Sequence, residues 1–374
     1  MSSVATAHAR VHDQRMWLKP TLRLGETLAR PPAPLEDLWP PGTRVAGLFS
    51  MGRDALWQMA AAKFSPAEFS VWLPAYSCTQ LIDAFRRTRV PMRFYDVRPD
   101  LTVDWEAVIE ARRRHAGRHA LVVVDYFGFA QPFSLDLHEA MREYFDVVIR
   151  DCAHSLPHPA VGVIPGRECG YILYSLRKLA PIPDLAPVLT AKDSASSADI
   201  APPAGRPFAR TVYIGLESAE LMIEGLRGMA SLQRRLRRLK EDGQWGSPVS
   251  RLSLALARRV DFSRVREARR ANAIRLAQGL APWARCHHAP EAACPYYFPL
   301  RVNDPARVKD ALARVGIETT TFWRSQEAVT GPGFPVARET ARSTLCLPVH
   351  QDLTPGQVDR LIQAVSAVVE PAAA

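Results

Sequence analysis

The sequence lacks any pattern that would make its cysteines structural or metal-binding. Its six cysteines form neither a CxxC pair nor the spaced framework of a disulfide scaffold. Cys286, His287, His288 and Cys294 stand close together, but without a CxxC pair they read as loop and strand residues, and no metal is expected. Unpaired thiols suit a reducing compartment, so the expected location is the cytoplasm. Met1 to Pro20 carries Arg and His but no apolar h-region, so no signal peptide is expected. No run approaches the ~20 apolar residues of a membrane helix, which speaks against a membrane partner. No nucleic-acid motif accompanies the net charge of +10, which speaks against nucleic acid as a partner.

What is present fits a loop-rich α/β enzyme. At 374 residues the chain exceeds one compact core, and two domains are the natural expectation. The positive excess sits largely in Arg234–Lys240 and in Arg258, Arg259, Arg264, Arg266, Arg269 and Arg270, at spacings that read as polar helix faces. Two readings of that charge stand: a solvated Arg-rich surface, or attraction for a phosphorylated cofactor and an anionic substrate.

The chemistry concentrates between Val147 and Lys178. A strand-like run, Val147-Val148-Ile149, leads to Asp151-Cys152-Ala153-His154-Ser155. After a Pro/Gly-rich excursion a second run, Tyr171-Ile172-Leu173-Tyr174, leads to Ser175-Leu176-Arg177-Lys178. Open α/β sheets place ligand sites at the carboxyl ends of strands, so Asp151 and Lys178 are expected in one cleft. A carboxylate and an amine so placed suit pyridoxal phosphate: the acid pairs with the pyridinium nitrogen and the lysine holds the aldehyde as a Schiff base. Taken singly, Asp151 also reads as a helix cap and Lys178 as a solvated surface residue.

Further strands are expected at Phe69 to Leu73, Met92 to Val97 and His119 to Val124, with a crossover helix from Leu137 to Phe145. Asp125, at the end of the third, is the one rival to Asp151. Gly52 and Arg53 open a helix whose free N–H groups would suit a phosphate, although an ordinary capped helix reads the same way. Long Leu/Arg amphipathic patterns over 211–241 and 249–281 predict helices. Cys294 to Val302 reads as a strand, Pro305 to Val315 as a helix, and Thr354 as the cap of a last helix over Val358 to Val369.

Asp151-Cys152-Ala153-His154-Ser155 and Tyr174-Ser175-Leu176-Arg177-Lys178, with Phe334 to Thr354 closing the chain, resemble the DegT/DnrJ/EryC1/StrS family of sugar aminotransferases. The likeness spans roughly residues 45–190 and 295–368. It implies a fold-type-I, pyridoxal-phosphate-dependent transferase: a large domain with a mostly parallel sheet flanked by helices, plus a smaller α+β C-terminal domain. The divisions that follow are an N-terminal arm (1–44), a large domain (45–240) and a small domain (241–374). It also implies an amino donor, glutamate or glutamine, a keto-sugar acceptor carried on a nucleotide, and a homodimer. By the same resemblance Gly52, Arg53 and Ser175 fall where the family binds the cofactor phosphate. Tyr76 is the candidate ring stacker, with Cys78 as the neighbouring alternative. His154 either bonds the cofactor's phenolic oxygen or caps the following turn.

Two departures stand out. Where the family has a Gly-Gly pair after the lysine, this chain has Asp184-Leu185-Ala186, and only glycine takes φ > 0 freely. The family's Gly-Tyr-Asn-Tyr-Arg element, which reaches the neighbouring subunit, is not recognisable. A non-catalytic binding or scaffold subunit is therefore the alternative expectation. A cofactor-dependent dehydratase or lyase is disfavoured because the lysine is kept.

Overall fold

The computed structural model describes residues 15–20, 24–158, 162–164, 166–193, 200, 245, 248–286, 293–323 and 331–369. The helix expected over 211–241, the Arg234–Lys240 cluster and residues His287 and His288 lie outside these. The described chain contains β1 (Thr43–Phe49), β2 (Phe69–Pro74), β3 (Met92–Tyr95), β4 (Arg118–Val124), β5 (Val147–Cys152), β6 (Cys169–Tyr174) and β7 (Ala186–Ala191), then β8 (Phe298–Arg301) and β9 (Thr344–Leu347). Its helices are α1 (Leu24–Ala29), α2 (Gly52–Lys63), α3 (Thr79–Arg86), α4 (Trp105–Arg113), α5 (Leu135–Tyr144), α6 (Arg251–Ala257), α7 (Phe262–Gly279), α8 (Pro305–Arg314), α9 (Pro335–Ser343) and α10 (Pro355–Val368).

The first seven strands form one sheet in the order β1-β7-β6-β5-β4-β2-β3. β2 to β6 are parallel, and β7 runs antiparallel to both of its neighbours. The second sheet is the antiparallel pair β8-β9. Burial on both faces explains the continuous apolar runs. Along β4, Ala120 and Val122 join one core cluster while Leu121 and Val123 join another. β5 alternates likewise, with Val147 and Ile149 on one side and Val148 on the other. The larger cluster continues into β8, β9 and α10, so a single apolar core runs from the seven-stranded sheet to the smaller one.

Two polar devices join the halves. Asp96, just past β3, accepts from the backbone N–H of Val336 and Ala337 at 3.1 and 2.8 Å, serving as a carboxylate at the N-terminus of α9. Arg269 on α7 is fully buried, which corrects its reading as part of a polar face. Its guanidinium donates to the carbonyls of Pro295 (2.8 Å) and Leu179 (3.0 Å) and to Gln351 Oε1 (3.0 Å). It thereby ties the lysine loop to the start of β8 and to the turn before α10. The Thr354 cap is present as a complete capping box with Gln357.

The N-terminal segment docks on this same chain. Met16 pairs with Ile317, its N–H bonding Gly316 at 2.9 Å, and Leu18 N–H donates to Glu318 Oε2 at 2.9 Å. His350 Nε2 donates to the Trp17 carbonyl at 2.9 Å, which fixes the strand's end.

His119 opens β4 in a fully buried position. Trp72 Nε1, which can only donate, lies 3.0 Å from His119 Nδ1, so Nδ1 accepts and the proton sits on Nε2, facing the Ala116 carbonyl at 3.1 Å. Burial, then the nearby Arg112, pushes this imidazole down to about 4. Between about pH 6.5 and 4 the unfolded chain therefore binds a proton that the folded one refuses, and stability falls as pH falls through that window. Denaturant midpoints measured across this range should fall with a slope shallower by about one proton in His119→Gln. An unchanged slope would refute the assignment.

Candidate active site

The site is built at the carboxyl ends of β4, β5 and β6. Register places Asp151 between Val124 on β4 and Leu173 on β6. Two-residue periodicity puts Asp151 on the Ile149 side of the sheet, toward the larger core, and Arg150 on the opposite side. There Arg150 Nε meets Asp125 Oδ2 at 3.0 Å, and Cys152 Sγ donates to the same oxygen at 3.2 Å. Gln131 N–H donates to Asp125 Oδ1 at 3.0 Å. The rival carboxylate is thus spent on a buried ion pair, which leaves Asp151 facing the cleft.

After β6 the chain makes one 3₁₀ turn, Leu176–Lys178, preceded by Ser175 without a side-chain cap bond. The turn aims Lys178 back over β5. Asp151, Lys178, His154 and Ala153 line one small cavity, closed by Cys78, Leu81, Val124 and Trp323. The two ionisable groups act on each other. Burial pushes the Asp151 carboxyl up, against the pull of Lys178 and of the Ala153 N–H, which donates to Oδ1 at 2.9 Å. Burial likewise pushes the Lys178 amine down, with Asp151 holding it up. Each opposes the shift that burial imposes on the other.

His154 does not cap the turn. Its Nδ1 is buried with no hydrogen-bond partner among the described residues. Its ring lies between aromatic neighbours: Phe127 at 5.7 Å and 25°, Trp323 at 5.7 Å and 13°, and Tyr296 at 5.3 Å. Burial first, and Lys178 second, hold it well below the ordinary histidine range, so it is neutral at pH 7. Phe127 takes φ 55°, and Gly128 beside it φ 97°, to make the turn that carries this ring.

The other sequence candidates stand apart from the cavity. Tyr76 is fully buried, stacked on Tyr126 at 5.5 Å and edge-on to Trp323 at 4.9 Å, and it is Cys78, two residues on, that reaches the cavity beside Lys178. Gly52 opens α2 behind Met51, which offers no side-chain cap. Arg53 is buried with its guanidinium 5.1 Å from the Trp245 ring centre. Neither these two nor Ser175 lines the cavity.

The missing glycines are replaced by strain. Leu185 is fully buried at φ 130°, a value glycine reaches more readily, with its N–H on Ser50 O (3.1 Å) and its carbonyl accepting from Leu176 N–H (3.0 Å). Asp184 is anchored by Ser250, whose hydroxyl donates at 2.8 Å.

Trp323, Tyr296 and Arg269 were not legible as site residues. Trp323 comes from the segment after α8, where no sequence pattern links it to Asp151. Its own φ of 54° marks a strained aromatic position.

No protein-family model matches the sequence, and no curated protein matches it. Solved structures do match in fold. A DegT DnrJ EryC1 StrS aminotransferase from Brucella abortus gives a TM-score of 0.60 at 17% identity, over 89% of this chain and 87% of that one. DesV from S. venezuelae, solved in complex with a ketimine intermediate, gives 0.62 at 17% identity, over 100% of this chain and 95% of that one. TlmJ, an aminotransferase from Streptoalloteichus hindustanus, gives 0.61 at 20% identity, over 95% and 98%. At these identities the likeness is one of architecture: the chain has the fold-type-I fold seen in these aminotransferases.

Proposed function

We propose that the chain is a pyridoxal-phosphate-dependent aminotransferase, moving an amino group from glutamate or glutamine to a keto-sugar carried on a nucleotide. The observation that carries this reading is Asp151 and Lys178 lining one cavity from the ends of adjacent parallel strands. The buried, partnerless Nδ1 of His154 in the same cavity supports it, since an orphaned polar atom awaits a polar ligand. Asp151 would pair with the ring nitrogen, Lys178 would hold the aldehyde carbon, and His154 would face a ring substituent. Gly52, Arg53 and Ser175 are proposed for the phosphate. When bound, pyridoxal phosphate supplies an aldehyde that accepts the amino group and a ring that takes up the electron pair freed at the donor's Cα.

Lys178 does the proton work. With burial lowering its affinity for a proton, its released amine would take up the proton from the donor's Cα and pass it on within the first half-reaction, and in the second would deliver a proton to the acceptor's carbon. Burial favours the neutral Asp151 carboxyl, and Lys178 and the Ala153 N–H draw it back toward the ionised form that a ring nitrogen would pair with. A homodimer and a cytoplasmic location complete the reading; the free state of all six cysteines supports the latter.

The cavity holds about 30 Å³, and Trp323 is one of its walls. Loading a pyridine ring would widen this cavity, and Trp323, which comes from the segment after α8, is the wall proposed to give way. The small cavity also favours a second reading, a non-catalytic chain that keeps the fold. The two separate in one titration. Pyridoxal phosphate added to the full chain should raise a visible absorbance band and alter tryptophan emission, and Trp323→Ala should load faster. A chain that stays colourless, with Trp323→Ala no different, would support the non-catalytic reading.

A further inference from the structure

Tyr296 touches two working groups of the cavity without being one of its walls. Lys178 Nζ lies over its ring, 5.9 Å from the centre, and the His154 ring packs on it at 5.3 Å. Two tethers hold it there. Its N–H donates to the Phe127 carbonyl at 2.7 Å, beside the Gly128 turn. Its own carbonyl accepts from Arg269 Nη1 at 3.3 Å, while Nη2 of the same guanidinium donates to Leu179 O at 3.0 Å, one residue past the lysine. One planar, fully buried group thus fixes the tyrosine backbone and the lysine loop to each other. Tyr297 packs against the Tyr296 ring with centres 3.9 Å apart, which leaves that ring little freedom to turn away. The titratable groups that face the amine are Asp151 at the end of β5, Cys78 ahead of α3, Arg177 beside it in the chain, and the neutral His154.

We infer that Tyr296 is a positioning residue for Lys178, its aromatic face holding the ammonium form of the amine and fixing where that amine waits. The negative face of the ring attracts the ammonium and not the neutral amine, and burial keeps water from competing. The ring therefore works with Asp151 against the desolvation that pushes the amine down. Unlike a carboxylate, an aromatic face neither accepts a proton nor ties the N–H groups into one direction, so the amine is held yet free to turn. The consequence for amino transfer rests on the proposed function; the contact between ring and amine does not.

The test reads the amine itself, in the full chain without cofactor. Lysine labelled with carbon-13 at Cε reports each amine's titration by NMR, and among six lysines Lys178→Arg identifies the signal. Tyr296→Leu should move the Lys178 midpoint down by about one pH unit. Tyr296→Phe keeps the face and drops the hydroxyl, so its midpoint should stay close to that of the wild type. Should Tyr296→Leu fail to fold, fluorinated phenylalanines at position 296 nearly keep the ring's volume while draining charge from its face, and the midpoint should fall stepwise with fluorine number. A flat fluorinated series would overturn the inference. So would a Tyr296→Phe midpoint that falls by about one pH unit, which would assign the effect to the hydroxyl. Uptake of pyridoxal phosphate by the wild-type chain, read by absorbance, separates the two readings. Uptake with a flat series leaves the proposed function standing and removes Tyr296 from it; a stepwise series without uptake does the reverse.

Discussion

Lys178→Ala is expected to abolish the visible band on adding pyridoxal phosphate and to lower amino transfer by about 10⁴-fold, the upper range for a positioned acid–base group. Two effects combine. The substitution removes the amine that carries the proton at Cα. It also removes the cation that opposes the burial of Asp151, so the Asp151 carboxyl, already pushed up, rises further. Lys178→Arg separates them: a guanidinium keeps positive charge near Asp151 but does not surrender its proton, so transfer is lost while Asp151 stays ionised. Single-turnover absorbance with glutamate reads the first effect, and carboxyl infrared bands near neutral pH read the second. Undiminished transfer in Lys178→Ala would remove the lysine from the mechanism.

Gly128→Ala is expected to destabilise the protein by about 3–5 kcal/mol, among the largest effects of a single methyl group. Gly128 sits at φ 97°, where a side chain strains the backbone. A Cβ there would collide with the His154 carbonyl oxygen and lie 2.7 Å from Pro295 Cα and 2.8 Å from Cys294 O. All three are backbone atoms on two different segments, so no rotamer change relieves the overlap. One segment carries His154 and the other leads to Tyr296, so cofactor uptake should fall together with the denaturant midpoint. A midpoint like that of the wild type would show the turn to be more yielding than its contacts indicate.

The sheet and the candidate site at its edge were legible because each rests on a local rule. Apolar runs in β4, β5 and β6 announce strands buried on both faces, and Asp151 and Lys178 follow directly at their ends. The same period of two also explains why Asp125 is not the cleft acid, although it needed the position of Arg150 to show it. The cavity-lining residue after β2 was harder. Tyr76 and Cys78 share a tight turn in which a small change of path exchanges the residue that reaches the cavity. Arg269 misled for another reason: helical spacing records which face a residue lies on, and three carbonyls converging there turn a polar stripe inward. Trp323 reaches the site through tertiary contacts across most of the chain, and no local pattern encodes those.

Leu185 bends where two glycines would bend freely, and it spends about 1–3 kcal/mol of backbone strain to do so. Its fully buried isobutyl group returns a similar amount, about 1.5–3 kcal/mol. Gain and loss nearly cancel, so a leucine holds this corner, next to the path that presents the lysine, at little net cost. The corner is therefore set by the shape of the backbone, and a sequence pattern keyed to flexible residues would pass over it.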